Sequence, residues 1–382
     1  FMKVCNVVKD SIWYDPRVIK QIYEYTNNGI ELSCVGIMDP RYNDEEVKKI
    51  PCEVFLVKID AKYYSTKRNL FTKIIREYIT NRGIYKEILK TGADVIHAND
   101  LNALIPAYKA SKKLNCKLVY DTHEIFVENL GIAKNKIVKF IWENFERRLI
   151  KKVDKVVCVS NAAAEYLCEK YKIERPIVVT NCIRTTQRLN LPTDKSEKLE
   201  VLNHGQFYDG RGYDIMVNAA KLLTDYDNIQ LVLRGFGSIE EMLRKKVAEE
   251  NITNVRFAPP VKVNELIPEA TRAWVGVAIT EANCLNFKLS VSNKIFEYAA
   301  AGLPVIMSDI PEHRYLNSKF NFGIIIENNS PQCFAEAVKQ FYNSSKLYLM
   351  CAENARKMSE ELNWESEFKK LLDIEKELVY GA

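Results

Sequence analysis

Ser290-Val291-Ser292-Asn293-Lys294-Ile295-Phe296-Glu297-Tyr298-Ala299-Ala300-Ala301-Gly302-Leu303-Pro304-Val305-Ile306 reads as a short helix feeding into a strand. Ser290 or Ser292 supplies an N-cap, Gly302 ends the helix, and Pro304 restarts the chain as a strand. Backbone amides at such a helix start suit a diphosphate, and Lys294 adds positive charge beside them. Glu297 lies one turn further on, placed to accept two ribose hydroxyl hydrogen bonds. It reads otherwise as a solvated helix residue, but Phe296, Tyr298 and Ala299 beside it are apolar. A carboxylate in so buried a helix usually has a partner.

Outward from this unit the same alternation runs through the whole chain. The first half offers strands at Lys3 to Val8, Glu31 to Ile37, Glu53 to Ile59, Val95 to Ala98, Lys117 to Tyr120, Lys155 to Val159 and Ile177 to Thr180. Segments with apolar residues at i, i+3, i+4 spacing separate most of them, such as Pro16 to Asn27 and Leu101 to Leu114. The pattern restarts at Glu200 to Gly205, Ile229 to Leu233, Val255 to Phe257, Val275 to Ile279, Pro304 to Met307 and Gly323 to Ile326. Alternation of this kind implies βαβ units and parallel sheets. The expectation is an α/β protein with two Rossmann-like domains, 1–184 and 199–363, facing across a cleft. A polar linker would occupy 185–198, and a C-terminal helix over 364–382 would pack back toward the N-terminal domain.

Bulk properties narrow the class. A chain of 382 residues exceeds the size at which one core keeps growing, which agrees with two domains. With 47% hydrophobic and 27% charged residues the composition is that of a globular protein. A net charge of +5 does not mark a nucleic-acid binder. The ten cysteines are scattered, several in apolar runs (Cys5, Cys158, Cys284), and none shows zinc-type spacing. A reducing compartment follows, with no signal peptide or membrane-spanning stretch, so a cytoplasmic location is expected.

In open parallel sheets, ligands sit beyond the carboxyl ends of the strands. There lies His204-Gly205-Gln206-Phe207-Tyr208-Asp209-Gly210-Arg211-Gly212, between a strand and a helix. It reads equally as a phosphate cradle, with Arg211 as the cation, or as a tight turn with a solvated arginine. Leu231 to Gly237 runs a strand into Gly235-x-Gly237, but Glu240 occupies the third glycine position of a dinucleotide fingerprint. Asp225-Tyr226-Asp227 precedes a strand, on the far edge of its sheet, and reads as a solvated loop; no metal site is expected. Between Lys58 and Lys90 nine basic residues (58, 62, 67, 68, 73, 76, 82, 86, 90) face three acidic ones (60, 77, 87). Tyr63, Tyr64, Leu70, Phe71, Ile74 and Ile75 interleave them. Residues 58–90 read as a membrane-surface segment or as a helix packed on its own core.

Taken together, these stretches resemble glycosyltransferase family 4, retaining enzymes of the GT-B fold. Gly205 and Gly212 stand at the glycines of the family's first C-terminal motif and Arg211 at its lysine. Gly235 and Gly237 stand at the second motif, and Glu297 at the later glutamate of Glu-x7-Glu. Asn293-Lys294-Ile295-Phe296-Glu297-Tyr298 resembles a common variant of that last motif. Asp94 to Asp100 and Asp121-Thr122-His123-Glu124 are similar to the family's two N-terminal strand-end motifs. The sequence departs at Gln206, where the family has arginine, at Leu289, where the first glutamate would fall, and at Asn181-Cys182-Ile183-Arg184 near the domain junction.

The resemblance implies a nucleotide-diphosphate sugar as donor, no further cofactor, and a glycan or lipid-linked acceptor. It assigns Arg211 and Lys294 to the leaving diphosphate, with Glu281 replacing the missing glutamate. Gly205, Gln206, Gly212, Gly235, Gly237, Ser290, Ser292, Asn293 and Glu297 would line the donor site. The base would rest on the backbone around Phe257, Pro259 and Val261. His123 would hold a donor-sugar hydroxyl, or be a buried histidine satisfied by a carbonyl. His97 and Asp100 lie on the acceptor side, with Asp15 and Arg17 after the first strand; an Asx cap explains Asp15 equally well. A nucleotide-sugar 2-epimerase, an inverting transferase and a non-catalytic nucleotide-sugar-binding protein are the rival readings.

Overall fold

Two compact units divide the chain, Phe1–Asn181 together with Glu367–Ala382, and Cys182–Ser366. The computed structural model describes residues 1–38, 49–59 and 70–381. Of the basic segment, residues 60, 62–64, 67 and 68 fall outside the described residues, as do the side chains of Leu70 and Phe71.

The first unit holds β1 (Lys3–Val8), α1 (Pro16–Asn27), β2 (Glu31–Ile37), β3 (Glu53–Val57), α2 (Leu70–Thr91), β4 (Val95–Asn99) and α3 (Asp100–Leu114). It continues with β5 (Lys117–Thr122), α4 (Leu130–Ala133), α5 (Lys136–Leu149), β6 (Lys155–Cys158), α6 (Asn161–Tyr171) and β7 (Ile177–Val178). The sheet is parallel, in the order β3-β2-β1-β4-β5-β6-β7. Strand order reverses between β1 and β4, so a crevice opens beyond Val8 and Asn99. Asp15 starts α1 by accepting from Arg17 N (2.9 Å) and Val18 N (3.1 Å), with Pro16 preset at the first helical position. Val18, Ile22 and Tyr25 then face inward at i, i+4, i+7.

The second unit holds β8 (Leu199–Gln206), α7 (Tyr213–Ala219), β9 (Ile229–Phe236), α8 (Glu240–Glu249), β10 (Val255–Ala258), α9 (Leu266–Ala270) and β11 (Val275–Ala278). There follow α10 (Leu285–Leu289), α11 (Asn293–Ala300), β12 (Val305–Ser308), α12 (Pro311–Phe320), β13 (Gly323–Ile326), α13 (Pro331–Asn343) and α14 (Ser345–Glu361). Its parallel order is β10-β9-β8-β11-β12-β13, reversing between β8 and β11. Alternate strand residues feed opposite faces. Val201, Leu231, Leu233, Val277 and Ile306 pack with Met216, Phe334, Val338 and Phe341 on one. Leu202, Val232, Ala278, Val305 and Met307 pack with Ile295, Phe296, Tyr298 and Met358 on the other.

β8 and β9 run further than their apolar residues announce, as far as the pair Gln206 and Phe236. Glycine makes this possible: a Cβ on Gly235 (φ +142°) would stand 1.8 Å from the Gly205 carbonyl oxygen. The polar stretch 185–198 is fastened to the second unit, where Lys195 Nζ donates to the carbonyls of Thr271 (2.6 Å) and Ala273 (3.1 Å).

The last helix, α15 (Trp364–Tyr380), belongs to the first unit from Glu367 onward. Phe368 meets the Tyr25 ring edge-on at 4.7 Å, and the Tyr25 hydroxyl donates to Glu375 at 2.7 Å.

Candidate functional site

The second unit's polar cluster is built on α11. Gly302 (φ +71°) closes this helix, with Leu303 N donating to Tyr298 O at 2.9 Å. The Tyr298 ring lies flat over Gly276, where a Cβ would come within 2.3 Å of the ring, and its hydroxyl accepts from His204 N at 3.1 Å. These contacts fix the register of α11 against β8. They bring Glu297 Oε2 within 2.7 Å of His204 Nε2, whose ring stacks on Tyr298 at 4.6 Å.

One turn earlier, Lys294 Nζ donates to Asn203 Oδ1 at 2.7 Å and sits 5.1 Å over the Tyr213 ring. Asn203 in turn donates to the Arg211 carbonyl at 3.0 Å, so one buried amide ties the arginine turn to the α11 lysine. The Arg211 guanidinium lies over Phe287 at 4.5 Å. Burial, then repulsion from Arg211, lowers Lys294 to about 7 against the pull of Glu297. Burial lowers Arg211 as well. Among the described residues neither cation pairs with a carboxylate. Two half-buried cations without a matched anion can receive an anionic ligand.

Of the other residues expected on the donor side, Gly205, Gly212 and Glu281 lie beside this cluster. Gly205 faces Lys294, whose Cε would be 3.3 Å from an added Cβ. Gly212 (φ +77°) caps α7 and admits Ile279, and Gly237 admits the Phe207 backbone. Ser292 holds the N-cap position of α11, yet its hydroxyl makes no capping hydrogen bond; Ser290 ends α10. Gln206 and Asn293 are exposed. Glu281 N donates to Gly210 O at 2.9 Å, one residue from Arg211, and burial with Asp214 and Asp209 nearby raises its carboxyl. Phe257 lies on the edge strand under the Arg244 guanidinium (4.3 Å), followed by the exposed Pro259 and the half-buried Val261. Asp225-Tyr226-Asp227 sits in the turn before β9, with Tyr226 against Tyr342.

In the first unit the focus is His123, just past β5. Its Nδ1 lies 3.1 Å from Asp15 Oδ2 and its Nε2 2.9 Å from Asn99 Oδ1, while its backbone N–H donates to Asp100 Oδ1 at 3.0 Å. Burial opposes its charge, but Asp15, Asp100 and Asp121 outweigh it and raise His123 to about 9. Asp100 holds a left-handed backbone (φ +65°), and burial pushes its carboxyl up to about 7. Lys9, Ser11, Asp15, Asp100, His123 and Glu124 line a pocket of about 340 Å³.

Arg17, expected at the cleft edge, and His97, expected on the acceptor side at a strand end, do not line the pocket. They lie beneath it instead, 2% and 0% exposed. Arg17 grips Asp121 with Nε (3.0 Å) and Nη2 (2.9 Å) and donates to Val179 O; His97 bridges Asp121 (3.2 Å) and Glu375 (3.1 Å). The cause is Asp121, a fully buried carboxylate that needs every one of these donors and that Arg17, His123 and His97 hold far below the usual range. Sequence reading passed over His204, Asn203 and Glu375. His204 was legible from its place beside Gly205 at a strand end; the other two acquire partners only through the fold.

Residues 24–187 match the family model described as Glycosyltransferase Family 4, and residues 187–358 match that of Glycosyl transferases group 1. The chain is a glycosyltransferase of the family 4 type. The glycosyltransferase is 24% identical over 306 residues to an uncharacterized glycosyltransferase of Haemophilus influenzae, covering 78% of each chain. It is 22% identical over 279 residues to another of Methanocaldococcus jannaschii, covering 69% of each. Its fold is GT-B. A glycosyltransferase from Rickettsia africae superposes with a TM-score of 0.78 at 16% identity, over 100% of this chain and 99% of that one. Anabaena HepE in complex with UDP and glucose gives 0.73 at 14% identity, over 98% and 99%.

Proposed function

We propose that the protein is a retaining glycosyltransferase that moves a sugar from a nucleotide-diphosphate donor to a glycan or lipid-linked acceptor, in polysaccharide or glycoconjugate synthesis. The observation that carries the reading is the pair of desolvated cations, Arg211 and Lys294, held together through Asn203 without a carboxylate partner. A diphosphate supplies the missing negative charge, and Glu297, braced by His204, accepts from the ribose hydroxyls. HepE, of the same fold, has been solved with UDP-glucose, which supports a nucleotide sugar as donor.

In this reading the bond from the anomeric carbon to the diphosphate breaks, and Arg211, Lys294 and the α11 amides stabilise charge growing on the leaving phosphate. The acceptor hydroxyl adds on the same face and its proton passes to the departing phosphate oxygen. Glu281 and the charged His123 hold donor-sugar hydroxyls. Asp15 and Asp100 line the pocket proposed for the acceptor. No cofactor beyond the donor is required. The enzyme works in the cytoplasm, and the basic segment 58–90 meets an anionic membrane where a lipid-linked acceptor resides; in its described part Ile74 and Tyr78 of α2 are exposed.

Thermal melting against a panel of UDP-, GDP- and other nucleotide sugars tests the donor, since a ligand at about 100 times its Kd adds about 2.7 kcal/mol to stability. One donor class should raise the melting temperature by several degrees, and transfer with retained anomeric configuration should follow. A flat panel would sink the reading, and an inverted product would remove retention.

A further inference from the structure

The outer surface of α5 carries an apolar stripe that no described residue covers. Ile137, Phe140, Ile141 and Phe145 are 73%, 67%, 48% and 43% exposed, at i, i+3, i+4, i+8 spacing along one side of the helix. Single exposed apolar residues are ordinary; four on one helix face are not. The opposite face is anchored by its own partners. Glu146 is fully buried and accepts from Tyr120 (2.9 Å) and Tyr171 (2.5 Å), and Trp142 packs edge-on against Phe126 at 5.1 Å. The helix is therefore seated with its apolar side outward.

Positive charge frames the stripe. Residues 134–152 hold seven Lys or Arg and two Glu, one of which is the buried Glu146. Lys134 and Lys136 stand exposed at the start of the helix, and Arg147, Arg148, Lys151 and Lys152 at its end. Among the described residues no helix is long and apolar enough to cross a membrane. We propose that α5 docks in the plane of an anionic phospholipid surface. Phe140 and Ile141 enter the acyl boundary and the flanking basic side chains meet headgroup phosphates. The charge selects this occupant, since a second copy would bring the same positive residues against one another. Lys139 bonds Glu128 at 2.7 Å, and Asn129 donates to Glu124 at 2.6 Å. A docked α5 is thus tied to the loop that carries His123 and the pocket beside it. The stripe lies outside segment 58–90 in the sequence and does not depend on the sugar chemistry.

Flotation of the full chain with vesicles of phosphatidylcholine alone, or mixed with phosphatidylglycerol, tests this. Binding is expected to the mixed vesicles only, and to weaken at high salt. Phe140→Glu with Ile141→Glu, and separately Arg148→Glu with Lys151→Glu, should each lower partitioning by about tenfold or more. Melting temperature and stabilisation by nucleotide sugars should stay unchanged, because these side chains are exposed. If the first pair lowers the melting temperature, Phe140→Ser gives the same reading with less perturbation. Equal binding by wild type and variants would overturn the proposal. So would absence of binding to anionic vesicles, or a loss seen only in Ile74→Glu with Tyr78→Glu. Sedimentation velocity showing a dimer that Phe140→Glu dissociates would assign the stripe to self-association instead.

Discussion

Glu297 Oε2 lies 2.7 Å from His204 Nε2, so the carboxylate proposed to grip the ribose is braced before any ligand arrives. The imidazole is itself immobilised, stacked on Tyr298 while its backbone N–H donates to the Tyr298 hydroxyl. Two residues, His204 of β8 and Tyr298 of α11, thereby fix one carboxylate, and the cost of ordering it falls on folding rather than on binding.

His204→Ala removes that brace and leaves Glu297 to find its own rotamer. The donor KM should rise by about tenfold, equivalent to about 1.4 kcal/mol, with a smaller change in kcat. Steady-state kinetics with varied donor check this. An unchanged KM would show that the imidazole does not position the carboxylate.

Lys294 loses its proton near 7 in the free protein, against an ordinary 10.5. Between these values the unfolded chain binds a proton that the folded chain lacks, so on this account the stability of ligand-free protein rises with pH there. A bound diphosphate restores the charge. Binding of a nucleoside diphosphate near pH 8 should therefore take up about one proton, seen as a binding enthalpy that depends on buffer ionisation heat. Lys294→Met should abolish the dependence. A wild-type enthalpy identical in all buffers would contradict the assignment.

His123 carries the opposite linkage. Its folded pKa of about 9 lies above the ordinary 6.5, so its stabilising contribution is complete below 6.5 and is lost as pH rises through 9. The stability gap between wild type and His123→Gln in urea should be widest at pH 6 and close toward pH 9. Asp15→Asn, which removes the carboxylate at Nδ1, should bring the imidazole titration measured by NMR back down.

Glu375 ties the last helix to the first unit through Tyr25 of α1 and His97 of β4. Glu375→Ala strands both partners in the interior and should cost about 3–5 kcal/mol. A lowered urea midpoint at constant slope would report it. A shift below about 1 kcal/mol would mean that the helix is held by Phe368 and its apolar neighbours alone.

The sequence carried the fold because buried parallel strands read as unbroken apolar runs and because Gly302 and Pro304 punctuate the chain where they stand. Strand ends were less legible. β9 continues past Leu233 through Gly235, which propensity scores as a break and where a Cβ would collide with the Gly205 carbonyl oxygen. In the candidate site, Arg211, Lys294 and Glu297 were readable as residue types at strand and helix ends. Their mutual anchoring was not, since Asn203 and His204 acquire partners about ninety positions away. Arg17 and His97 mark the same limit. Position past a strand, or at its end, does not say whether a charged group faces a crevice or turns beneath it to serve Asp121. The stripe on α5 inverts the usual rule, with a glutamate inside and Phe140 outside, which periodicity alone would assign the other way round.

In the proposed reading Arg211 and Lys294 form the diphosphate grip of the donor site. Titration calorimetry of a nucleoside diphosphate into wild type and Arg211→Ala tests it most directly. Binding should be at least about a hundredfold weaker in the variant, in line with losing a charge-assisted contact of about 3 kcal/mol, at unchanged melting temperature. Equal affinity in the two proteins would contradict it.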